Sequence, residues 1–314
     1  MSESIGGYKH AGDVDVRTFK LITATGQVID LKSVTIEFSV YQSLFEHYLQ
    51  CDLVINDSLG LLNTINEIKD GVTQGGFSGG DMLVVSYRSN DDSLPYKNHV
   101  FALYEMANRK RIEENSEAYF FSGISVEAYV SAGQKISRSY GGAAGNDISS
   151  MIQSITDEFV YSSSAKGVHS ALKESVKFRV QKQNQFDATN GNHKFVIPNL
   201  TVDDTIDFLC KESDSDDHIP YYVFYEDSKG FNFKNLGTLV SQESKETFTY
   251  APSNFSGVYK DKKKDDYTEA TNIRSFEVIS QSDFLGNLEA GLYQSRNIFI
   301  DPLRKNKREV VYKY

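Results

Sequence analysis

The stretch Val34-Thr-Ile-Glu-Phe-Ser-Val alternates apolar and polar residues over seven positions. As a strand it would turn its apolar side chains to one face and its polar ones to the other. Related patterns recur along the first third of the chain. Phe19-Lys-Leu-Ile-Thr-Ala-Thr-Gly-Gln-Val-Ile-Asp-Leu reads as two short strands joined through Gly26, and Leu53-Val-Ile runs into the turn residues Asn56-Asp-Ser. Three more strands fall around Met82–Tyr87, Val100–Met106 and Ala118–Val126. A short helix is expected after Asn56-Asp57-Ser58, because Leu59, Leu62 and Ile65 follow helical spacing. Many short strands separated by turns predict a barrel or sandwich over residues 16–131. The 19 Tyr and 20 Phe, with only 5 Pro and no Trp, suit such a sheet-rich chain.

The pattern changes near Ser131. Ser139-Tyr-Gly-Gly-Ala-Ala-Gly reads as a flexible connection, after which Asn146 is expected to cap an amphipathic helix. Ile148, Met151, Ile152, Ile155 and Phe159 would share one face of that helix. Residues 162–192 are polar, with a possible strand at Val176–Val180. Thr201 is placed to cap a second helix with Val202, Ile206 and Leu209 on its apolar stripe. Tyr221-Tyr-Val-Phe-Tyr, the turn Glu226-Asp-Ser-Lys-Gly and Phe231–Phe233 spell a hairpin. From about Thr247 come a solvated charged loop, Lys260-Asp-Lys-Lys-Lys-Asp-Asp, and strands at Ile273–Ser280 and Ser295–Ile300. Val310-Val-Tyr reads as a final strand with no visible partner.

Length divides these segments into an N-terminal arm (1–15), a β-barrel (16–131), a middle α+β domain (132–246) and the start of a further β domain (247–314). No apolar run approaches the roughly 20 residues that span a bilayer, and Met1-Ser-Glu-Ser-Ile-Gly-Gly has no secretory signal pattern. The formal charge of −10 argues against tight binding to a phosphate backbone. The basic clusters Arg109-Lys-Arg111 and Arg304–Arg308 read as solvated strand ends. Cys51 and Cys210 lie too far apart in sequence for a disulfide framework or a zinc motif, and read as buried small hydrophobes.

The glycine-rich stretch Gly75-Gly-Phe-Ser-Gly-Gly80 lacks the Gly-Lys-Ser/Thr ending of a phosphate loop, so a mobile hairpin loop is the better reading. Asp214-Ser-Asp-Asp-His218 lacks the glycine and terminal glutamate of a calcium loop, and reads as a solvated helix exit. None of His10, His47, His99, His169, His193 and His218 falls in a metalloprotease pattern, and no serine sits in a nucleophile elbow. Neither a catalytic residue nor a cofactor or metal site is assigned from these residues.

Four segments, in order, resemble the central baseplate hub protein of T-even-type contractile-tailed phages and its relatives in marine myophages. They are Gln134-Lys-Ile-Ser-Arg-Ser-Tyr-Gly-Gly with the helix after it; Phe195-Val-Ile-Pro-Asn-Leu-Thr-Val-Asp-Asp-Thr-Ile-Asp-Phe-Leu; Tyr222-Val-Phe-Tyr-Glu-Asp-Ser-Lys-Gly-Phe-Asn-Phe-Lys-Asn-Leu; and Phe284-Leu-Gly-Asn-Leu-Glu-Ala-Gly-Leu-Tyr-Gln-Ser-Arg-Asn-Ile-Phe-Ile-Asp. The resemblance implies an α+β, mainly β subunit with a tube-type antiparallel β-barrel, a helix-containing middle domain and the beginning of a second tube-type barrel. It also implies a structural, non-enzymatic part in the virion, assembled in the host cytoplasm. There the subunit would form a homotrimer contacting the tail tube protein, a trimeric spike protein and other baseplate proteins. Three subunits with two barrels each would make a pseudo-sixfold ring that passes DNA without holding it and is not inserted in a membrane. On this analogy Gly75, Gly76, Phe77, Ser78, Gly79 and Gly80 form an inter-ring loop. Only the opening part of the second barrel falls within the chain. Two other classes stay open at this stage: a tail-associated cell-wall hydrolase and a carbohydrate-binding β protein.

Overall fold

Alternation of apolar and polar residues builds one antiparallel sheet from the first 125 residues. In a computed structural model that describes residues 14–23, 27–58, 68–69, 72–73, 80–89, 94–113, 116–141, 147–161, 184–216, 221–244, 247–250, 272–273, 275–278, 282–289, 291 and 293–313, this sheet has seven strands. In chain order the strands are β1 (Val14–Ile22), β2 (Val28–Asp30), β3 (Thr35–Tyr41) and β4 (Gln50–Asp57). After the two-residue pair β5 (Ile68–Lys69) and β6 (Val72–Thr73) come β7 (Asp81–Ser89), β8 (Lys97–Glu113) and β9 (Ser116–Ser125). Their order across the sheet is β2-β1-β7-β8-β9-β4-β3, a curled half-barrel.

The period-2 pattern sets the inner face. On β4 the residues Cys51, Leu53, Ile55 and Asp57 are buried while those between them are half-buried. They pack with Phe19, Leu21, Leu83, Phe101, Leu103 and Phe121 into one apolar core. The 17-residue β8 keeps pace with its shorter neighbour through register shifts at Leu103/Glu105, Ala107/Lys110 and Arg111/Glu113. Extra residues at such bulges bend a strand and raise its twist, which curls the sheet. The expected helix at residues 59–66 lies outside the described residues.

The chain does not leave β9 as a loop. Helix α1 (Val126–Ser131) follows without a break, and Val126 joins Ile22, Met82, Val100 and Ala102 in a second apolar cluster. Sequence patterning carried the strand through Val126; the structure ends it at Ser125.

The middle segment has its own core. Strand β10 (Lys135–Tyr140) pairs antiparallel with β12 (Phe195–Thr201), and between them lies helix α2 (Ile148–Ile155), which runs into a π-helical turn at Thr156–Tyr161. The predicted stripe Ile148, Met151, Ile152 and Ile155 is buried, with Phe159 partly buried against the same core. The capping residue is Asp147 rather than the expected Asn146, and its carboxylate takes the Ser150 hydroxyl instead of a backbone N–H. Helix α3 (Val202–Glu212) begins as the sequence predicts: Thr201 Oγ1 accepts the Asp204 N–H at 3.1 Å, and Val202, Ile206 and Leu209 are buried. The two-residue strand β11 (Gln185–Phe186) runs parallel to β14 (Phe231–Asn235), which forms the expected hairpin with β13 (Tyr222–Glu226), and α4 (Leu236–Val240) follows. Any strand at 176–180 lies outside the described residues.

Contacts divide the chain into two compact units, 1–245 and 246–314. In the second, β15 (Thr249–Tyr250) and β16 (Asn272–Ile273) pair in parallel, α5 (Phe284–Glu289) follows, and β17 (Gln294–Asp301) forms a hairpin with β18 (Asn306–Lys313). Two expectations are corrected here. The terminal strand has a partner: Val310, Val311 and Tyr312 stand opposite Asn297, Arg296 and Ser295. The Asp301 carboxylate makes the turn possible by accepting the N–H groups of Leu303 and Arg304 at 3.0 and 3.1 Å. The basic run 304–308 lies on this turn and the start of β18. Of the strand expected over Ile273–Ser280, the described residues show Asn272–Ile273 as strand and 275–278 without regular structure. No helix among the described residues is long and apolar enough to cross a membrane.

Candidate functional site

Two places in the first unit depart from an ordinary packed domain: the open side of the sheet, and a polar joint between the sheet and the middle segment. Among the described residues the sheet does not close. Among the described residues β3 pairs only with β4, and β1 pairs with β2 only over Lys20–Ile22. The rest of β1 and the outer edge of β3 therefore flank a seam. A groove of about 620 Å3 runs along it, with Val14, Val16 and Phe19 on one wall and Thr35, Phe38 and Val40 on the other. Lys32 stands beside it in the β2–β3 turn, and Tyr87 and Val85 also line it. Val14 and Val16 are exposed, as is Ile36 on the β3 edge. Backbone N–H and C=O groups on such edges are ready to pair with another strand.

Near the start of β1 a small network fixes the outer face. Asp15 accepts hydrogen bonds from Tyr96 Oη at 2.6 Å and Arg88 Nε at 3.0 Å. The Tyr96 bond first, and then the Arg88 bond, hold the Asp15 carboxyl below its ordinary pKa. The Arg88 guanidinium also lies 4.6 Å from the centre of the Tyr96 ring, a cation–π contact.

The joint centres on His47 and Tyr48, in the segment between β3 and β4. The His47 ring is mostly buried; its Nε2 donates to Asp207 Oδ1 at 3.0 Å, and its Nδ1 lies 3.9 Å from Asp203 Oδ1. Tyr48 Oη donates to the same Asp203 oxygen at 2.7 Å and lies 3.0 Å from Ser131 Oγ in α1. The next backbone N–H, that of Leu49, is taken by the buried Glu226 carboxylate at 3.2 Å. Phe224 stacks edge-on against the imidazole, its ring centre 5.6 Å away. Three sequence-distant elements thus meet on three consecutive residues. Burial alone would lower the His47 pKa, but contact with Asp203 and the charges of Asp207 and Asp203 outweigh it and hold the value above 6.5. Burial and the Asp203 charge push the Tyr48 phenol well above its usual range.

Of the predicted inter-ring loop, residues 75–79 lie outside the described residues. Gly80 is placed at the entry to β7 with φ +89°, and a side chain there would meet Tyr129 Oη at 3.2 Å. That φ favours glycine. In the Asp214–His218 run the Asp214 carbonyl accepts the Asn190 N–H at 2.7 Å, while Asp217 and His218 lie outside the described residues. Among the described residues no group of three or more His, Cys, Asp or Glu side chains is arranged so that it could hold a metal ion. The thiols of Cys51 and Cys210 are both buried, and burial raises that of Cys210 to about 12. Sequence reasoning missed the His47 joint altogether, because its partners lie about 160 positions away in the chain.

No family model matches this sequence, and no curated protein matches it. Among solved structures, this chain is similar to two phage tail proteins. One is the 43 kDa tail protein of prophage MuSo2 from Shewanella oneidensis, at 10% identity and a TM-score of 0.43 over 74% of this chain and 58% of that one. The other is a tail protein from Neisseria meningitidis MC58, at 7% identity and a TM-score of 0.42 over 78% of this chain and 56% of that one. The matched part is a little over half the length of either structure.

Proposed function

We propose that this chain is a structural hub subunit of a contractile phage tail baseplate, acting as a trimer that joins the hexameric tail tube to a trimeric spike. The observation that carries this reading is the open half-barrel, whose two edges face an apolar seam instead of closing on each other. A sheet left open beside exposed apolar side chains is suited to being completed by a neighbour. The ordered resemblance of four segments to the hub family points to which neighbours. Symmetry gives the physical reason for a trimer: a threefold assembly can meet a sixfold tube only if each subunit offers two equivalent units. In this reading residues 16–131 are the first unit and 247–314 begin the second. Residues 75–80 reach toward the adjoining ring, and the ring lies in the virion tail with DNA passing through it.

The test is the mass and shape of the assembly. Light scattering should give a trimer, and electron microscopy a ring with a central hole, when tube and spike proteins are supplied. A chain that stays monomeric on the order of tens of micromolar with both partners present would overturn the reading.

A further inference from the structure

We propose that the His47 joint is a pH-sensitive latch that fastens the segment between β3 and β4 to helix α3. That segment, residues 42–49, has no regular structure of its own among the described residues, and it carries the exposed side chains of Leu44 and Phe45. Its far end is anchored in the core by Leu49, whose carbonyl accepts the Ser125 N–H at 2.9 Å, and by the Tyr48 ring; the rest is fastened by polar contacts, His47 to Asp207 and Asp203, Tyr48 to Asp203 and Ser131, and the Leu49 N–H to Glu226. The titratable groups around the imidazole are Glu46 and Tyr48 from its own segment and Asp203 and Asp207 from α3, with Glu226 from β13 two residues on at the Leu49 N–H. Each is an acid, so the proton on His47 supplies positive charge to an otherwise anionic corner.

The chemistry of the two states follows. Protonated, the imidazolium offers N–H donors toward both α3 carboxylates. Neutral, it keeps one donor and presents a lone pair at its other nitrogen. A lone pair facing Asp203 or Asp207 repels the carboxylate, and two aspartates one helical turn apart lose the cation between them. The latch is therefore full below the ordinary histidine value of 6.5 and slackens as pH rises through the higher value of the folded chain. At the acid end Asp203, held below 3.8 against the effect of its burial by its contacts with His47 and Tyr48, sets the lower limit.

The test is run on the full chain. NMR titration of the His47 ring should give a pKa above 6.5 in the wild type and a lower one in Asp207→Asn and Asp203→Asn. Hydrogen exchange of residues 42–49, corrected for intrinsic rates and measured at about pH 5.5 and about pH 8.5, should show lower protection at the higher pH. The loss should be tenfold for each unit by which the wild-type His47 value exceeds 6.5, and His47→Gln should abolish this pH dependence while the core stays protected. Should His47→Gln disturb packing, Asp207→Asn supplies the comparison, with a smaller pH dependence in proportion to its lower pKa. Titration of His47 at or below 6.5, or equal pH dependence in the wild type and His47→Gln, would overturn the latch.

Discussion

At Gly123 the packing leaves no room for a methyl group. A Cβ built there would lie 2.8 Å from Cys51 Sγ and 2.9 Å from Leu103 Cδ2, both in the core beneath β9. Gly123→Ala should destabilise the first unit by about 1–3 kcal/mol, the usual cost of overpacking, read as a lower midpoint in urea at unchanged slope. Cys51→Ala in the same chain should recover part of that loss, because it removes the nearest atom. Cys51 and Cys210 themselves should resist a thiol reagent near pH 8 until the chain is unfolded, since burial raises both thiols. Fast labelling of the native chain would show that one of them opens to solvent. At this scale, what was legible in the sequence is what depends on near neighbours. The cysteines read correctly as buried, and Thr201 as a cap, because its partner is Asp204, three residues on. His47 was invisible because nothing within its own segment marks Asp203 and Asp207 as its partners.

Helices α2 and α3 show how far periodicity reaches at the scale of elements. Both stripes were readable and both are core, so Ile152→Asp should cost several kcal/mol by placing a charge where no water reaches. An unchanged melting curve for that variant would mean that the stripe is not core in solution. Thr201→Ala should cost about 1 kcal/mol through loss of the cap, with little further effect if Asp204 finds another donor. Helix α1 escaped notice for a physical reason. Val126-Glu-Ala-Tyr-Val-Ser continues the apolar alternation of β9 with no proline, glycine or side-chain cap to announce a change, and tertiary contacts with Met82 and Val100 select the helix. The partner of the last strand was missed in a similar way. The turn after Asp301 is closed by a carboxylate and by Lys305 at φ 50°, not by the Asn-Gly or Asp-Gly pair that signals a hairpin.

At the scale of the whole molecule, the mainly β character was legible, and that the first sheet stays open among the described residues was not. Alternation announces strands, but whether a sheet closes depends on bulges and on which edges meet, and no local pattern encodes that. The proposed ring bears on charge as well. With a formal −10 on each chain, duplex DNA should show no binding in a low-salt anisotropy titration. Carboxylates act over a Debye length of about 8 Å at physiological salt, which is enough to keep phosphates from adhering to a passage. Salt-sensitive micromolar binding would reveal a basic face and sink that part of the proposal.

The β17–β18 hairpin bears on how the isolated chain behaves in solution. It pairs from Gln294 to Asp301 without a bulge, and among the described residues neither strand has a third partner. Ile298, Phe299, Ile300, Val311 and Tyr312 are all exposed, on both of its faces. A bulge-free ribbon with apolar side chains exposed on both faces is a template for fibril growth, and a two-stranded ribbon has little stability of its own. The charged residues on it, Arg296 bonded to Glu309 at 2.6 Å and Lys307 with Arg308 near the turn, act as gatekeepers against that fate. Replacing Lys307 and Arg308 by Thr should shorten the lag of thioflavin-positive aggregation, whereas Ile298→Lys should lengthen it. If the chain assembles as proposed, the hairpin sets a clock on the free subunit, since exposed apolar side chains that a partner would cover also invite more copies of themselves.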